Sequence, residues 1–250
     1  MTGLPRALIG ISLEGNVMNG LDRRDFFRKG SLGLAAGLGV LTLAGDAWPT
    51  ESSGNADDFL TANSIEIAPA AAPQKFVPTE DNILGPYHRR GAPFRGMITP
   101  PLEPGDVLVV RGRVWGFDSK QPLAGATLDI WQANARGRYD NDDPKNPPKK
   151  GLFHNRARLI TDETGYYEYQ TIKPGRYKIG PDQWRPAHIH YLVTALGYKS
   201  LITQMYFEGD PENAKDQFIK PSLIIKPETV RVRQGEFQLG TFDIVLAKGN

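Results

Sequence analysis

With 250 residues, 40% hydrophobic and 23% charged, the chain has ordinary globular composition and room for one domain plus an appendage. Its formal charge is only +2, spread without a basic stripe, which argues against nucleic acid as a partner. Cysteine is absent, so disulfides, Cys-ligated zinc, iron–sulfur clusters and thiol nucleophiles are excluded, and any metal must be held by His, Tyr, Asp, Glu or main-chain oxygen.

Residues 22–47 read DRRDFFRKGSLGLAAGLGVLTLAGDA. Arg23 and Arg24 precede Phe26 and Phe27, and a stretch of fifteen residues, Gly30 to Ala44, follows, apolar but rich in Gly and Ala. That is short for a bilayer span, so stable membrane insertion is not expected. A charged start, a weakly apolar middle and small residues near Ala47 fit an export signal of the twin-arginine type, which carries folded proteins out of the cytoplasm. Residues 1–47 are therefore expected to be a signal peptide, with the chain exported to the periplasm or the extracellular space. Met18 stands just upstream of the paired arginines as an alternative start.

Residues 48–80, rich in Ala, Pro, Ser and Asp, read as a linker or extended arm. The domain is expected over 81–250. From Asp106 onward short β-prone runs follow one another: DVLVVRGRVWGF, ATLDIWQA, RLIT, YYEYQTI, HIHYLVTA, LITQMYF, TVRVR and EFQLGTFDIVL. They are punctuated by turn-forming stretches such as TDETG, KPGRY and EGDPEN. Many short strands and no long segment of helical period predict an all-β domain, an antiparallel β-sandwich of prealbumin-like type with long loops. At most one helical turn is expected, near Glu212–Phe218.

His188-Ile189-His190 lies within one of these runs. In a strand, residues two apart share a face, so both imidazoles can reach one ion while Ile189 points into packing. By itself the pattern equally describes two half-exposed strand histidines. A cupin-type site would want Glu where Thr194 and Ala195 stand, and no His-x-Asp of an iron(II) facial triad occurs. Tyr139 and Tyr177 are the notable further candidates, each beside a Gly in a turn-like setting, ARGRYD and KPGRYK.

The segments IWQANARGRYD (130–140), TDETGYYEYQTIKPGRYKIG (161–180), WRPAHIHY (184–191) and LITQMYFEGDP (201–211) together resemble intradiol ring-cleavage dioxygenases, nearest the protocatechuate 3,4-dioxygenase catalytic-chain branch. The resemblance spans roughly residues 80–245 and keeps the family's order. It implies a non-haem Fe(3+) centre with Tyr139, Tyr177, His188 and His190 as ligands, and a catechol-type substrate opened with O2 to a muconate-type diacid. It also implies that Tyr177 is displaced by the substrate and serves as a base, that Arg185 stabilises charge on the ring, and that Gln204 offers a hydrogen bond. Tyr87, in GPYHRRGAPFR, becomes a substrate contact at the mouth. After Tyr177 the chain departs from that branch: Lys178 and Ile179 replace a tryptophan-bearing, longer stretch, which leaves the ring substituent open. Assembly with copies of itself or with a second subunit type is also left open. The rival reading is a non-catalytic, transthyretin-like binding module, which shares the strand-and-turn rhythm without a metal.

Overall fold

The computed structural model describes residues 76–232 and 235–249. The expected signal, 1–47, and residues 48–75 of the expected linker lie outside the described residues. In chain order the strands are β1 (Val107–Gly116), β2 (Thr127–Gln132), β3 (Arg156–Ile160), β4 (Tyr166–Ile172), β5 (Tyr177–Lys178), β6 (Trp184–Arg185), β7 (His188–Thr194), β8 (Leu201–Phe207), β9 (Ile224–Ile225), β10 (Glu228–Val232), β11 (Gly235–Thr241) and β12 (Ile244–Leu246). A single 3-10 turn, Pro221–Leu223, is the only helical element among the described residues. The helical turn expected near Glu212–Phe218 is replaced by non-helical turns. No described helix is long and apolar enough to cross a membrane.

The strands form two five-stranded sheets and a two-stranded hairpin, β5–β6. In the first sheet β4 lies antiparallel to β1, whereas β11 and β12 both run parallel to it. Where β11 gives way to β12 the ladder is interrupted, and the Asp243 carboxylate accepts from Arg113 N at 2.8 Å in place of a carbonyl. The second sheet has the order β3-β2-β7-β8-β9, with β8 and β9 parallel. The all-β expectation holds, but the purely antiparallel arrangement is corrected by these three parallel pairings. Alternation in a sequence identifies a strand; the direction of its partner depends on long connections that alternation does not encode.

The inner faces of both sheets meet in one apolar core that includes Leu108, Val110, Leu128, Ile130, Ile189, Tyr191 and Met205. Each fully buried aliphatic side chain contributes about 1.5–3 kcal/mol. The hydroxyls of Tyr169 on β4 and Tyr191 on β7 meet across the core at 2.5 Å. On β4, Tyr167 is buried and Tyr166 is only partly so.

Residues 92–98 close the open edges of both sheets on one side. Arg158 N of β3 donates to Pro93 O at 2.8 Å, and Gln170 N of β4 donates to Gly96 O at 2.8 Å. Unpaired strand edges invite association with other chains, and this arm covers two of them.

Candidate metal centre

Successive residues of β7 point to opposite faces of the second sheet. Ile189, Tyr191 and Val193 enter the core, which turns His188 and His190 to the other side. Directly paired residues on neighbouring strands share a face, so the register names the neighbours. His190 stands between Trp131 of β2 and Gln204 of β8, and His188 stands beside Tyr206. The two imidazole Nε2 atoms are 3.2 Å apart, and both rings are buried.

The tyrosines arrive on two glycine-bearing loops pressed backbone to backbone. A Cβ on Gly137 would fall 2.2 Å from Arg176 O, and one on Gly175 would fall 2.3 Å from Ala135 O. Asn134 O accepts from both Gly137 N and Gly175 N at 2.9 Å. Only glycine permits this crossing, which explains the Gly-x-Tyr spacing shared by ARGRYD and KPGRYK. The Tyr139 and Tyr177 rings consequently lie 5.6 Å apart at 87°. Tyr139 Oη is 3.5 Å from His188 Nε2, and the Tyr177 ring is 5.6 Å from the His188 ring. Tyr87 stacks on Tyr139 at 4.3 Å and stands edge-on to Tyr177 at 6.1 Å, so it walls the same space.

All four groups sit in a low-dielectric setting that disfavours charge. Burial pushes Tyr139 well above the ordinary phenol value, with Tyr177 adding to the rise. Tyr177 is also raised by burial, but Arg185 pulls against the rise. Burial, with Arg185, holds His188 down to about 3, and burial and His188 hold His190 well below the usual imidazole value. His188 donates from Nδ1 to Pro186 O at 2.7 Å, which leaves its Nε2 lone pair facing His190. Two neutral imidazoles and two phenols thus gather at one largely buried space. No group of three His, Asp or Glu suited to a metal occurs among the described residues, so a cation here would depend on the phenols. The donor set fits a hard, highly charged ion that turns phenols into phenolates.

Arg185 overlooks this space from the hairpin, where it pairs in register with Tyr177. Its Nε donates to Asp216 at 2.5 Å, and an Nη2 donates to Gln204 Oε1 at 2.7 Å and Tyr206 Oη at 3.1 Å. Burial works against its charge, but Tyr177, Tyr206 and Asp216 together outweigh that and keep it protonated. Gln204 is committed at both ends, since its Nε2 donates to Ile83 O at 2.8 Å. In this arrangement it steadies Arg185 and the backbone at Ile83.

A family model described as Dioxygenase matches residues 85–248. The chain belongs to the intradiol ring-cleavage dioxygenases. It is 34% identical to a chlorocatechol 1,2-dioxygenase of Rhodococcus opacus over 189 residues, 67% of this chain and 72% of that protein. It is 40% identical to the protocatechuate 3,4-dioxygenase beta chain of Burkholderia cepacia over 157 residues, 57% of this chain and 65% of that one. Among solved structures it resembles the dioxygenase domain of a dioxygenase–carbohydrate-binding protein fusion from Streptomyces sp. SirexAA-E. That match has a TM-score of 0.56 and 34% identity, covering 69% of this chain and all of that domain (100%). The chain thus spans roughly two thirds of the curated relatives' length and the whole of that domain.

Several residues of this dioxygenase site escape sequence reasoning. Asp216, which holds Arg185, lies outside every sequence motif, and Tyr206, the second holder of Arg185, sits unremarked within LITQMYFEGDP. Asp140, next to Tyr139, is gripped by Arg89 at 2.5 Å and by Arg156 at 2.6 Å, a buried cluster that fixes the loop behind Tyr139. His88 packs on Trp131 and pairs with Asp129. His154 is exposed.

Proposed function

We propose that this chain is a ferric-iron-dependent intradiol dioxygenase that opens a catechol-type ring between its hydroxyl-bearing carbons, with O2, to a muconate-type diacid. The observation that carries the reading is the convergence of two imidazole nitrogens and two phenols on one buried space overlooked by a fixed guanidinium. Tyr139, Tyr177, His188 and His190 would hold the ion, and two phenolates favour its ferric state. The bound metal would supply Lewis acidity, drawing electron density from a coordinated catechol.

The remaining tasks fall to side chains. Tyr139 is fully enclosed and stacked under Tyr87, which suits a permanent anchor. Tyr177 is the more exposed phenol, and the neighbouring Arg185 favours its charged form. Its oxygen is therefore suited to take a proton from a catechol hydroxyl. Arg185, held by three partners, presents positive charge where the ring gains negative charge. Lys178 donates to Pro181 O at 3.1 Å and lies over Trp184, tied to its own hairpin rather than aimed at the site. With Ile179 and Trp184 both exposed beside it, the hairpin favours a catechol without an acidic substituent over a protocatechuate-like one. A transthyretin-like binding module would have no use for this donor set.

Purified protein supplied with iron under air should be burgundy, with a broad tyrosinate-to-iron band that shifts when catechol is added anaerobically. Tyr139→Phe or His188→Ala should abolish or cripple the band, and His154→Ala should leave it intact. Protein that stays colourless sinks the reading, and oxygen uptake with catechol, 4-methylcatechol and protocatechuate tests the substituent preference. Residues 1–47 are proposed as the export signal; unchanged export of an Arg23→Lys, Arg24→Lys precursor would count against the twin-arginine route.

A further inference from the structure

The two histidines of β7 are oriented by different means. His188 has a hydrogen bond from Nδ1 to Pro186 O at 2.7 Å, which fixes both its tautomer and its ring. The Nδ1 of His190 is buried and has no hydrogen-bond partner among the described residues. Metal-binding histidines almost always have that second nitrogen held, because the bond sets the ring and strengthens the donor. A flat surface lies against His190 instead. The indole of Trp131, its register partner across β2 and β7, lies parallel to it with centroids 4.7 Å apart and planes 5° apart.

The backbone at Gly85 also crowds the imidazole: an added Cβ would come within 3.2 Å of Cε1 and 3.6 Å of Nε2. Trp131 is itself immobilised, 1% exposed and backed by the His88 ring at 4.6 Å. His88 in turn pairs with Asp129 at 3.2 Å. The column Asp129–His88–Trp131 therefore braces His190 from the side of β2.

We infer that Trp131, together with the close backbone at Gly85, is the positioning residue for His190, doing by stacking what the Pro186 carbonyl does for His188. The inference rests on the reading that these histidines hold the metal. A stacked face fixes the plane of the ring but leaves its N–H unpolarised. His190 is thus a rigidly held yet weaker donor than His188.

The test compares Trp131→Leu, which removes the flat face, with Trp131→Phe, which restores one. Trp115→Leu serves as the control, removing a buried indole from the first sheet. Ferric-ion affinity is measured by chelator competition, alongside the visible band and the thermal midpoint of the metal-free protein. Trp131→Leu should weaken ferric binding by roughly 10–100-fold and shift the band, and Trp131→Phe should recover most of the loss. Trp115→Leu should lower the midpoint without changing affinity.

A second pair guards against misfolding of the tryptophan variants. Gly85→Ala and Gly151→Ala share a positive φ, +72° and +81°, but nothing lies within 4 Å of a Cβ at Gly151. Only Gly85→Ala should then weaken ferric binding. Wild-type affinity and band in Trp131→Leu, or equal affinity losses in Trp115→Leu, overturn the positioning role. Absence of ferric binding by the unsubstituted protein overturns the functional reading as well.

Discussion

Replacing Asp216 by asparagine tests whether Arg185 is a buried cation held by its surroundings. The pair meets at 2.5 Å with side chains only 4% and 1% exposed. Asparagine can still accept from Phe218 N, now 2.6 Å from Asp216 Oδ1, but it cannot neutralise the guanidinium. Removing one partner of a buried ion pair costs about 3–5 kcal/mol, because the other charge stays behind without compensation. Gln204 and Tyr206 continue to accept from Arg185 Nη2, so the lower end, ~3 kcal/mol, is expected. In a domain of this size that corresponds to a fall of about 6–12 °C in thermal midpoint. Urea unfolding of the metal-free protein at neutral pH, followed by tryptophan fluorescence, gives the free energy directly. The double variant Asp216→Asn, Arg185→Met should regain part of the loss, since the stranded charge leaves with the arginine. A single variant within about 1 kcal/mol of the parent would refute the reasoning, since Arg185 would then be compensated without its carboxylate.

Gly175→Ala drives a Cβ to within 2.3 Å of Ala135 O and should cost about 2–3 kcal/mol while lowering iron content, as thermal melts and metal analysis will reveal. In the metal-free protein His188 is depressed to about 3 and His190 is held well below the usual imidazole value, so the unfolded chain binds more protons below the ordinary imidazole value of about 6.5. Stability should therefore fall as pH drops from about 6.5 toward about 5, with a slope approaching two protons per molecule, read from urea midpoints. His188→Gln should reduce that slope by one. Tyr177→Phe should retain a tyrosinate band from Tyr139 but lose at least ~10²-fold in turnover, measured as oxygen uptake with catechol, because its proton acceptor is gone.

The antiparallel part of the second sheet, β3-β2-β7-β8, was legible because its determinants are local. His188 and His190 share a face through strand periodicity alone, whereas Tyr139 and Tyr177 stood out only as candidates beside glycines until the family resemblance assigned them a role; that those glycines let two loops touch is visible only in the folded chain. What stayed hidden depends on distant segments. Asp216 is one aspartate among several in a turn-rich stretch, and only the folded chain brings it to Arg185. Gln204 reads as a free donor until Ile83, over a hundred residues earlier, takes its amide. The parallel partners of β1 were illegible for a related reason: β11 and β12 return to it across more than a hundred residues. The setting of His88 was hidden too, because the Trp131 ring and the Asp129 carboxylate reach it only after β2 is in place.

Strand β7 is read twice, odd-numbered residues by oil and even-numbered ones by chemistry. A substitution in it therefore disturbs one reader at a time, but gaining or losing a single residue within it would exchange the two, sending imidazoles inward and turning Ile189 and Tyr191 out. Descent can thus change a letter of this stretch at the expense of one reader, yet hardly its length at all. New substrate preferences must be written where length is cheap, in the loops and the short hairpin around the rim.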